Sequence, residues 1–447
     1  MPGRVLQGLS GLRAASPFPR GHSKRSSGGI LDRGDEDKYR LSNRRIPRLR
    51  WTLRSWRTLG YLAGAAALLA LLFFPRYQMH VEVQLFKRGW IREAILPVRP
   101  LSSTCFNPAF IASTSYNLSL AEAPSLVDVH AGMGMPLGRD CYDFASTLPR
   151  HSLPGMILPE RTIFHTYWRN DLLSFGPRQI SLLHSILATQ DRESTAVVLW
   201  TNVDPPTSLH NFASLRPLLE LYGDRLSVRH VDKRHLARGT PMDGHALLDM
   251  ADKQAWVDGD LVRVLVLYAL GGIWVDFDTI LTGRDLRVLG ESEWVTQWDC
   301  YDKIYQPLNG AMMHFYRHSP YLCEMLHSMA TDPPPARGSV DWGSRLYHKV
   351  WRSLVTNGIK PFKILPYCFT DGVSCRLDNR LPDPFGEVRE EKKWGKGRRE
   401  DLESKVKNVW AVHLHNRWDK TFPPGGWVDE IILKPVEKQV ERYRAAG

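Results

Sequence analysis

No two of the six cysteines stand in a CxxC pair, and none occurs before Cys105. The missing pair excludes a closely spaced zinc site. Acidic residues are in the minority, with Asp and Glu together at 47 against 59 Lys and Arg, for a formal net charge of +12. Such an excess points toward nucleic acid or an acidic membrane surface, so its location decides what it means. Most of it lies before Leu59, in SKRSS, SNRRIPRLRW and LRSWR, set against the one acidic cluster DRGDED. These residues are mixed with Ser, Gly and Pro and lack any apolar periodicity. Residues 1–57 therefore read as a disordered basic tail.

Long charge-free runs are also scarce, and LGYLAGAAALLALLFF, from Leu59 to Phe74, is the one that stands out. It is flanked by Arg57 and Arg76, with Trp56 and Tyr77 able to sit at an interface, so residues 58–75 read as a single transmembrane signal anchor. A buried soluble helix rarely carries so basic a leader, and a cleaved signal peptide would begin nearer Met1. The basic flank keeps the tail cytosolic and sends everything after Pro75 into the lumen. Nucleic acid drops out as a partner of the main domain. An even number of lumenal cysteines favours disulfides. Cys368 and Cys375 could close a short loop in CFTDGVSC, while the other pairings stay open. Asn117, in NLS, is an acceptor for N-glycosylation in that compartment.

Residues 76–158 have mixed composition and scattered prolines, and read as a stem that packs partly on the domain beyond it. Regular structure starts at RTIFHTYW, a strand from Arg161 to Trp168. GPRQISLLHSILATQ has helical spacing at Ile180, Leu183, Ile186 and Leu187; TAVVLWT is a buried strand and RLSVRHVD another. The alternation predicts βαβ units and a mostly parallel sheet. DGDLVRVLVLYAL is then a helix with Asp258 in a capping position and Gly271 as its stop, followed by the strand IWVDFD. In such a sheet ligands bind beyond the carboxyl ends of the strands, where Asp276 and Asp278 emerge.

Two aspartates two residues apart on a strand point the same way and repel, which is costly unless a cation lies between them. Oxygen ligands suit Mn²⁺ or Mg²⁺ and leave coordination positions for the phosphates of a nucleoside diphosphate. Asp260 and Arg263 share a helix face. Arg263 would neutralise phosphate and Asp260 would accept from a sugar hydroxyl; a plain salt bridge is the other reading of the pair.

The string DLVRVLVLYALGGIWVDFDTILTGRDLRVL resembles the central motif of glycosyltransferase family 32, the DXD-containing group with fungal initiating mannosyltransferases and α-1,4-galactosyltransferases. Asp260, Arg263, Gly271, Gly272, Trp274, Asp276 and Asp278 match it in order and spacing. The resemblance extends over roughly 161–420. It implies a GT-A fold over 159–440, an α/β nucleotide-sugar-binding domain with a Rossmann-like sheet, and retaining transfer of a hexose. It further implies donor contacts at Trp168, which would stack on the base, and at Asp260, Arg263, Gly272, Trp274, Asp276, Asn309 and Gly310. Asp276, Asp278 and Arg263 would be catalytic, and a metal would be held by Asp276, Asp278 and His413, with His415 the alternative. Trp274 stands where the family more often has Tyr, and the opening strand lacks the usual Pro-Lys start and Gln, which leaves base preference open.

The resulting expectation is a type II Golgi membrane hexosyltransferase using Mn²⁺ or Mg²⁺, a UDP-hexose or GDP-mannose donor and a glycan or glycolipid acceptor, with a Golgi hetero-complex as a further partner. A GDP-mannose-dependent α-mannosyltransferase of N-glycan or sphingolipid assembly is the alternative within enzymes. A lectin-like or scaffold membrane protein is the alternative outside them. The topology has its own test. In sealed vesicles Asn117 should carry a glycan and the domain should resist added protease; an unglycosylated Asn117 with a digestible domain would reverse the orientation.

Overall fold

The computed structural model describes residues 53–73, 83, 85–135, 139–298, 300, 305–336, 339–373, 375, 380–386 and 395–445. Residues 1–52 of the expected tail lie outside them. The chain divides into two compact units, Met1–Gln84 and Leu85–Gly447. In the first, Leu53–Phe73 is one helix, and its Trp56–Phe73 portion is long and apolar enough to cross a membrane.

The second unit is built on a seven-stranded sheet: β1 (Thr162–Trp168), β2 (Thr195–Thr201), β3 (Leu226–His230), β4 (Gly272–Val275), β6 (Trp294–Gln297), β7 (Leu308–Phe315) and β8 (Lys363–Leu365). Their order is β3-β2-β1-β4-β7-β6-β8, and β7, antiparallel to both its neighbours, is the exception in a mostly parallel mixed α/β sheet. A two-stranded ribbon joins β5 (Thr279–Leu281) to β9 (Ala411–His413).

Alternation builds the two faces. Val197, Leu199, Ile273 and Val275 enter one hydrophobic core, and Val198, Trp200 and Trp274 enter the other, as side chains of successive strand residues must. The helix Pro177–Leu187 covers the first face. The helix Val257–Leu270 belongs to the second core and is apolar almost all round, because it also packs against the helix Pro320–Thr331. Gly271 ends it in a left-handed conformation at φ 68°. Its start differs from expectation: Asp258 lies inside the first turn, and Asp252 does the capping, accepting from the N–H groups of Gln254 (2.8 Å), Trp256 (3.0 Å) and Val257 (2.6 Å). A left-handed Ala255, φ 56°, bends the chain so that this more distant carboxylate can reach. Asp258 instead accepts from Tyr167 and Arg169.

From Leu85 onward the segment read as stem is woven into this unit. Cys141, Tyr142, Ala145 and Leu148 are buried in the first core, and Cys105 in the second. The disulfides are Cys105–Cys323, Cys141–Cys368 and Cys300–Cys375. The expected short Cys368–Cys375 loop is thus not formed; each of the two cysteines ties its segment to a different part of the fold. Glu291 accepts from the N–H groups of Leu126 (2.8 Å) and Val127 (3.2 Å), a second anchor for the same segment.

Gly272 lies at the start of β4, about 10 Å along the strand from its carboxyl end. With φ 105° it packs so closely on β1 that a Cβ would come 2.3 Å from the carbonyl oxygen of Ile163. Gly272→Ala should therefore lose about 3 kcal/mol or more of stability, read by thermal or denaturant unfolding. Unchanged stability with weakened donor binding would return Gly272 to the donor site.

Candidate functional site

The sheet order reverses beside β1: β2 and β3 lie on one side of it and β4 on the other. A crevice at the carboxyl ends of two such diverging strands is where open α/β sheets bind ligands. A cavity of about 440 Å³ opens there, lined by Trp168 at the end of β1 and Asp276 just beyond β4.

Asp276 and Asp278 occupy a tight turn, closed by the Thr279 N–H donating to the Asp276 carbonyl at 3.0 Å. The expected strand IWVDFD thus stops at Val275. The two carboxylates are relieved of mutual repulsion by separate partners. Asp276 accepts from Arg263 Nη2 at 2.9 and 3.1 Å and from Trp274 Nε1 at 2.6 Å. Asp278 accepts from the backbone N–H of Asn416 at 2.6 Å and faces His413 Nε2 at 3.2 Å.

β5 comes directly after the turn and pairs Thr279 opposite His413, which brings the closing segment to the aspartates. His415 and Asn416 are both left-handed, φ 53° and 56°. That conformation costs non-glycine residues roughly 1–2 kcal/mol each. Here it aims the Asn416 N–H at Asp278, and the Leu414 N–H donates to the Asp278 carbonyl.

Arg263 holds the other side. Besides Asp276 it donates to Asp260 Oδ1 at 2.9 Å and to the Tyr347 hydroxyl at 2.8 Å, and its guanidinium lies 5.5 Å over the Trp274 ring. The Asp260–Arg263 bridge is buried, so surface screening does not weaken it. Gly310 makes room for it: a Cβ there would meet Arg263 Nη1 at 2.1 Å. Gly343 does the same for Asp260, whose Oδ2 would meet a Cβ at 2.9 Å.

Burial, opposed by Arg263, pushes the Asp260 carboxyl up to about 7. It raises Asp276 too, with the charge of Asp278 adding to the effect and Arg263 opposing it. For Asp278 burial loses to His413 and the Asn416 N–H, which hold it below the usual carboxylate range. His413 lies well above the usual imidazole value because Asp278 and Asp371, one on each ring nitrogen, outweigh its burial.

Of the residues expected at the site, Trp168, Asp260, Arg263, Trp274, Asp276, Asp278, Asn309, Gly310, His413 and His415 all line this cavity; Gly272 does not. Trp168 is also a core residue, packed edge-on against Phe175, Phe277 and Trp418, with its indole N–H donating to the Leu173 carbonyl. His413 faces Asp278 with Nε2 and Asp371 with Nδ1, whereas His415 Nε2 meets Asp371 Oδ1 at 2.8 Å. Asp371, Tyr347, Gly343 and Trp418 were not expected. Asp371 stands in CFTDGVSC, whose cysteines drew attention away from its carboxylate, and Tyr347 is one aromatic on an ordinary amphipathic helix.

The donor set fits a divalent cation. Ligand atoms of Asp371, His413 and His415 lie within 4.8 Å of one another, and Asp278 faces the same imidazole. Carboxylates joined by imidazole suit Mn²⁺ better than Mg²⁺.

The sequence matches no family model and no curated protein. Solved structures similar to parts of the chain include two glycosyltransferases and a transferase. The PaToxG glycosyltransferase is 14% identical, with 49% of this chain and 74% of that one covered and a TM-score of 0.33. A transferase bearing two cysteine-to-serine substitutions is 15% identical over 45% of this chain and 90% of that one, TM-score 0.29. The WbbM bifunctional glycosyltransferase is 9% identical over 66% and 53%, TM-score 0.36.

A cation held by His413 would take the Nε2 lone pair that a proton otherwise occupies, so the two would compete there. Above about pH 6.5 and below the raised His413 value, Mn²⁺ affinity should climb about tenfold per pH unit with one proton released per ion. Titration calorimetry in two buffers of different ionisation enthalpy measures this. A flat pH profile would remove His413 from the ligand set.

Proposed function

We propose that this chain is a retaining glycosyltransferase of the family 32 type, with a GT-A domain, that moves a hexose from a nucleotide sugar to a glycan or glycolipid acceptor. The observation that carries the reading is the turn bearing Asp276 and Asp278 at the strand-order reversal, with His413 Nε2 3.2 Å from Asp278 in the wall of a cavity of about 440 Å³. A volume of that order suits a nucleotide-sized ligand. The anchor helix Leu53–Phe73 and three lumen-compatible disulfides support a type II Golgi enzyme.

Asp276, Asp278 and His413 would hold Mn²⁺. When bound, the cation supplies positive charge against the diphosphate that departs as the glycosidic bond breaks. The residues of the chain do the rest. Arg263 fixes Asp276 by two hydrogen bonds and brings a permanent positive charge to the cavity. Trp168 offers an aromatic face for the base. Asp260 and Asn309 are the polar groups for sugar hydroxyls, and the indole of Trp274 orients Asp276 from beneath. Gly310 keeps the floor low enough for Arg263 to lie there. The donor is a UDP-hexose or GDP-mannose, and its identity decides between hexosyl classes.

The experiment is a donor screen on the detergent-solubilised full chain with Mn²⁺ and a panel of UDP- and GDP-sugars, scoring nucleoside diphosphate release. One donor should be hydrolysed. Asp278→Ala should abolish that release with folding retained, and Arg263→Ala should lower turnover and weaken donor binding by tenfold or more, as expected for a buried charge pair losing one member. Neither hydrolysis nor binding of any donor would favour a scaffold protein, and full activity of Asp278→Ala would overturn the assigned site.

A further inference from the structure

Asp371 has no role in the proposed chemistry, yet it is fully buried. A carboxylate in such a position costs several kcal/mol unless hydrogen bonds satisfy it. Three do. Its Oδ2 faces His413 Nδ1 at 3.1 Å and accepts from Asn309 Nδ2 at 3.3 Å, and its Oδ1 faces His415 Nε2 at 2.8 Å.

The chemistry of the partners decides where the protons are. Oδ2 accepts from the Asn309 amide nitrogen, which only donates, and so presents a lone pair to His413 Nδ1; that nitrogen, which also lies 3.1 Å from Asn309 Nδ2, meets Asp371 by carrying the hydrogen. The Asn309 carbonyl oxygen is itself occupied by the Ala311 N–H at 2.9 Å, which fixes the amide in this orientation. A proton on Nδ1 leaves Nε2 as the nitrogen with the free lone pair whenever His413 is neutral, and Nε2 is the atom 3.2 Å from Asp278 Oδ2. Asp371 and Asp278 thus lie off opposite nitrogens of one ring. A cation between Asp278 and Nε2 is out of reach of Asp371, so it lies at a different position from the one that Asp371, His413 and His415 could share.

The backbone around Asp371 is fixed from two sides. Cys368, three residues before it, is bonded to Cys141 in the helix Asp140–Thr147, and Cys375, four residues after it, to Cys300 beyond β6. The Trp410 N–H donates to the Phe369 carbonyl at 2.9 Å, tying the segment to the start of β9.

We infer that Asp371 is the positioning residue of the cation site: it sets the tautomer and orientation of His413, so that Nε2 faces Asp278, and holds His415 with its other oxygen. The inference rests on the reading that Asp278 and His413 hold a divalent cation. Histidine ligands backed by a carboxylate in this way lose 10–100-fold in metal affinity when the carboxylate is replaced.

The test uses the solubilised full chain, Mn²⁺ alone as probe, and electron paramagnetic resonance. Free Mn²⁺ gives the dissociation constant, and electron spin echo modulation reports whether an imidazole nitrogen is bound. Wild type should bind Mn²⁺ with a nitrogen signal. Asp371→Asn should bind it about 10–100-fold more weakly, with the nitrogen signal diminished and a cooperative unfolding transition retained at a lowered melting temperature. Asp371→Asn with wild-type affinity and wild-type modulation would overturn the positioning role while leaving the cation site intact. No Mn²⁺ binding by wild type would overturn both. Should Asp371→Asn fail to fold, Asp371→Glu, which keeps the charge but displaces it by a methylene, carries the same expectation and the same refutation.

Discussion

Three carboxylates, Asp260, Asp276 and Asp278, line one cavity with a fourth, Asp371, buried behind His413, and the fold depends on how their charge is balanced. Two cationic groups do this from opposite sides. Arg263 joins Asp260 to Asp276, and His413 joins Asp278 to Asp371, so that each cation lies between two carboxylates and the two halves of the line meet, aspartate beside aspartate, at the turn. Removing one member of such a buried pair strands its partner at a cost of about 3–5 kcal/mol. That cost explains why so much neighbouring structure serves the line. Gly310 and Gly343 leave room for it, and Tyr347 and Trp274 each add a hydrogen bond to it. The two adjacent left-handed residues His415 and Asn416 spend backbone energy to complete it.

The strength of these pairs also limits what each group can do. Arg263 is not a free cation awaiting a phosphate; its guanidinium is bonded to two carboxylates and a hydroxyl. Its first effect is to hold Asp276 rigid. His413, with a carboxylate on each nitrogen, differs in kind. An arginine cannot give up its charge near neutral pH, whereas an imidazole can, so only the His413 side of the line can exchange a proton for a metal ion. The asymmetry of the site therefore arises from which cation sits on which aspartate.

Elements governed by periodicity were legible in the sequence. TAVVLWT is β2 to the residue, and the helix predicted from Asp258 to Leu270 runs from Val257 to Leu270. The members of the DXD string were legible as chemistry, but not their geometry. Strand spacing put both aspartates on one face, and the observed turn at Asp276 instead separates them onto different partners. No periodicity marks that turn, because only the pairing of β5 with a strand more than a hundred residues later requires it. Asp252 as the cap and Asp371 as the partner of His413 escaped for the same reason, since both act through contacts distant in the chain or through a bend at Ala255. Gly272 was misjudged by proximity: it adjoins the motif in sequence but lies at the other end of β4, where strand packing demands it.

Disulfide connectivity was equally beyond reach, and it carries a consequence for the site. A Cys368–Cys375 loop would have closed on itself and left Asp371 at the tip of a small ring tied to nothing else. The observed bonds run outward instead, to Cys141 across 227 residues and to Cys300 across 75. Each closes a long loop, the case in which a cross-link most restricts the unfolded chain. The first of them also recruits the segment before β1 into holding the closing wall of the cavity, since the helix Asp140–Thr147 carries Cys141. Residues that read as a stem by composition therefore act as a buttress. The segment that carries the carboxylate behind His413 is held on both sides by disulfides, bonds typical of an oxidising compartment.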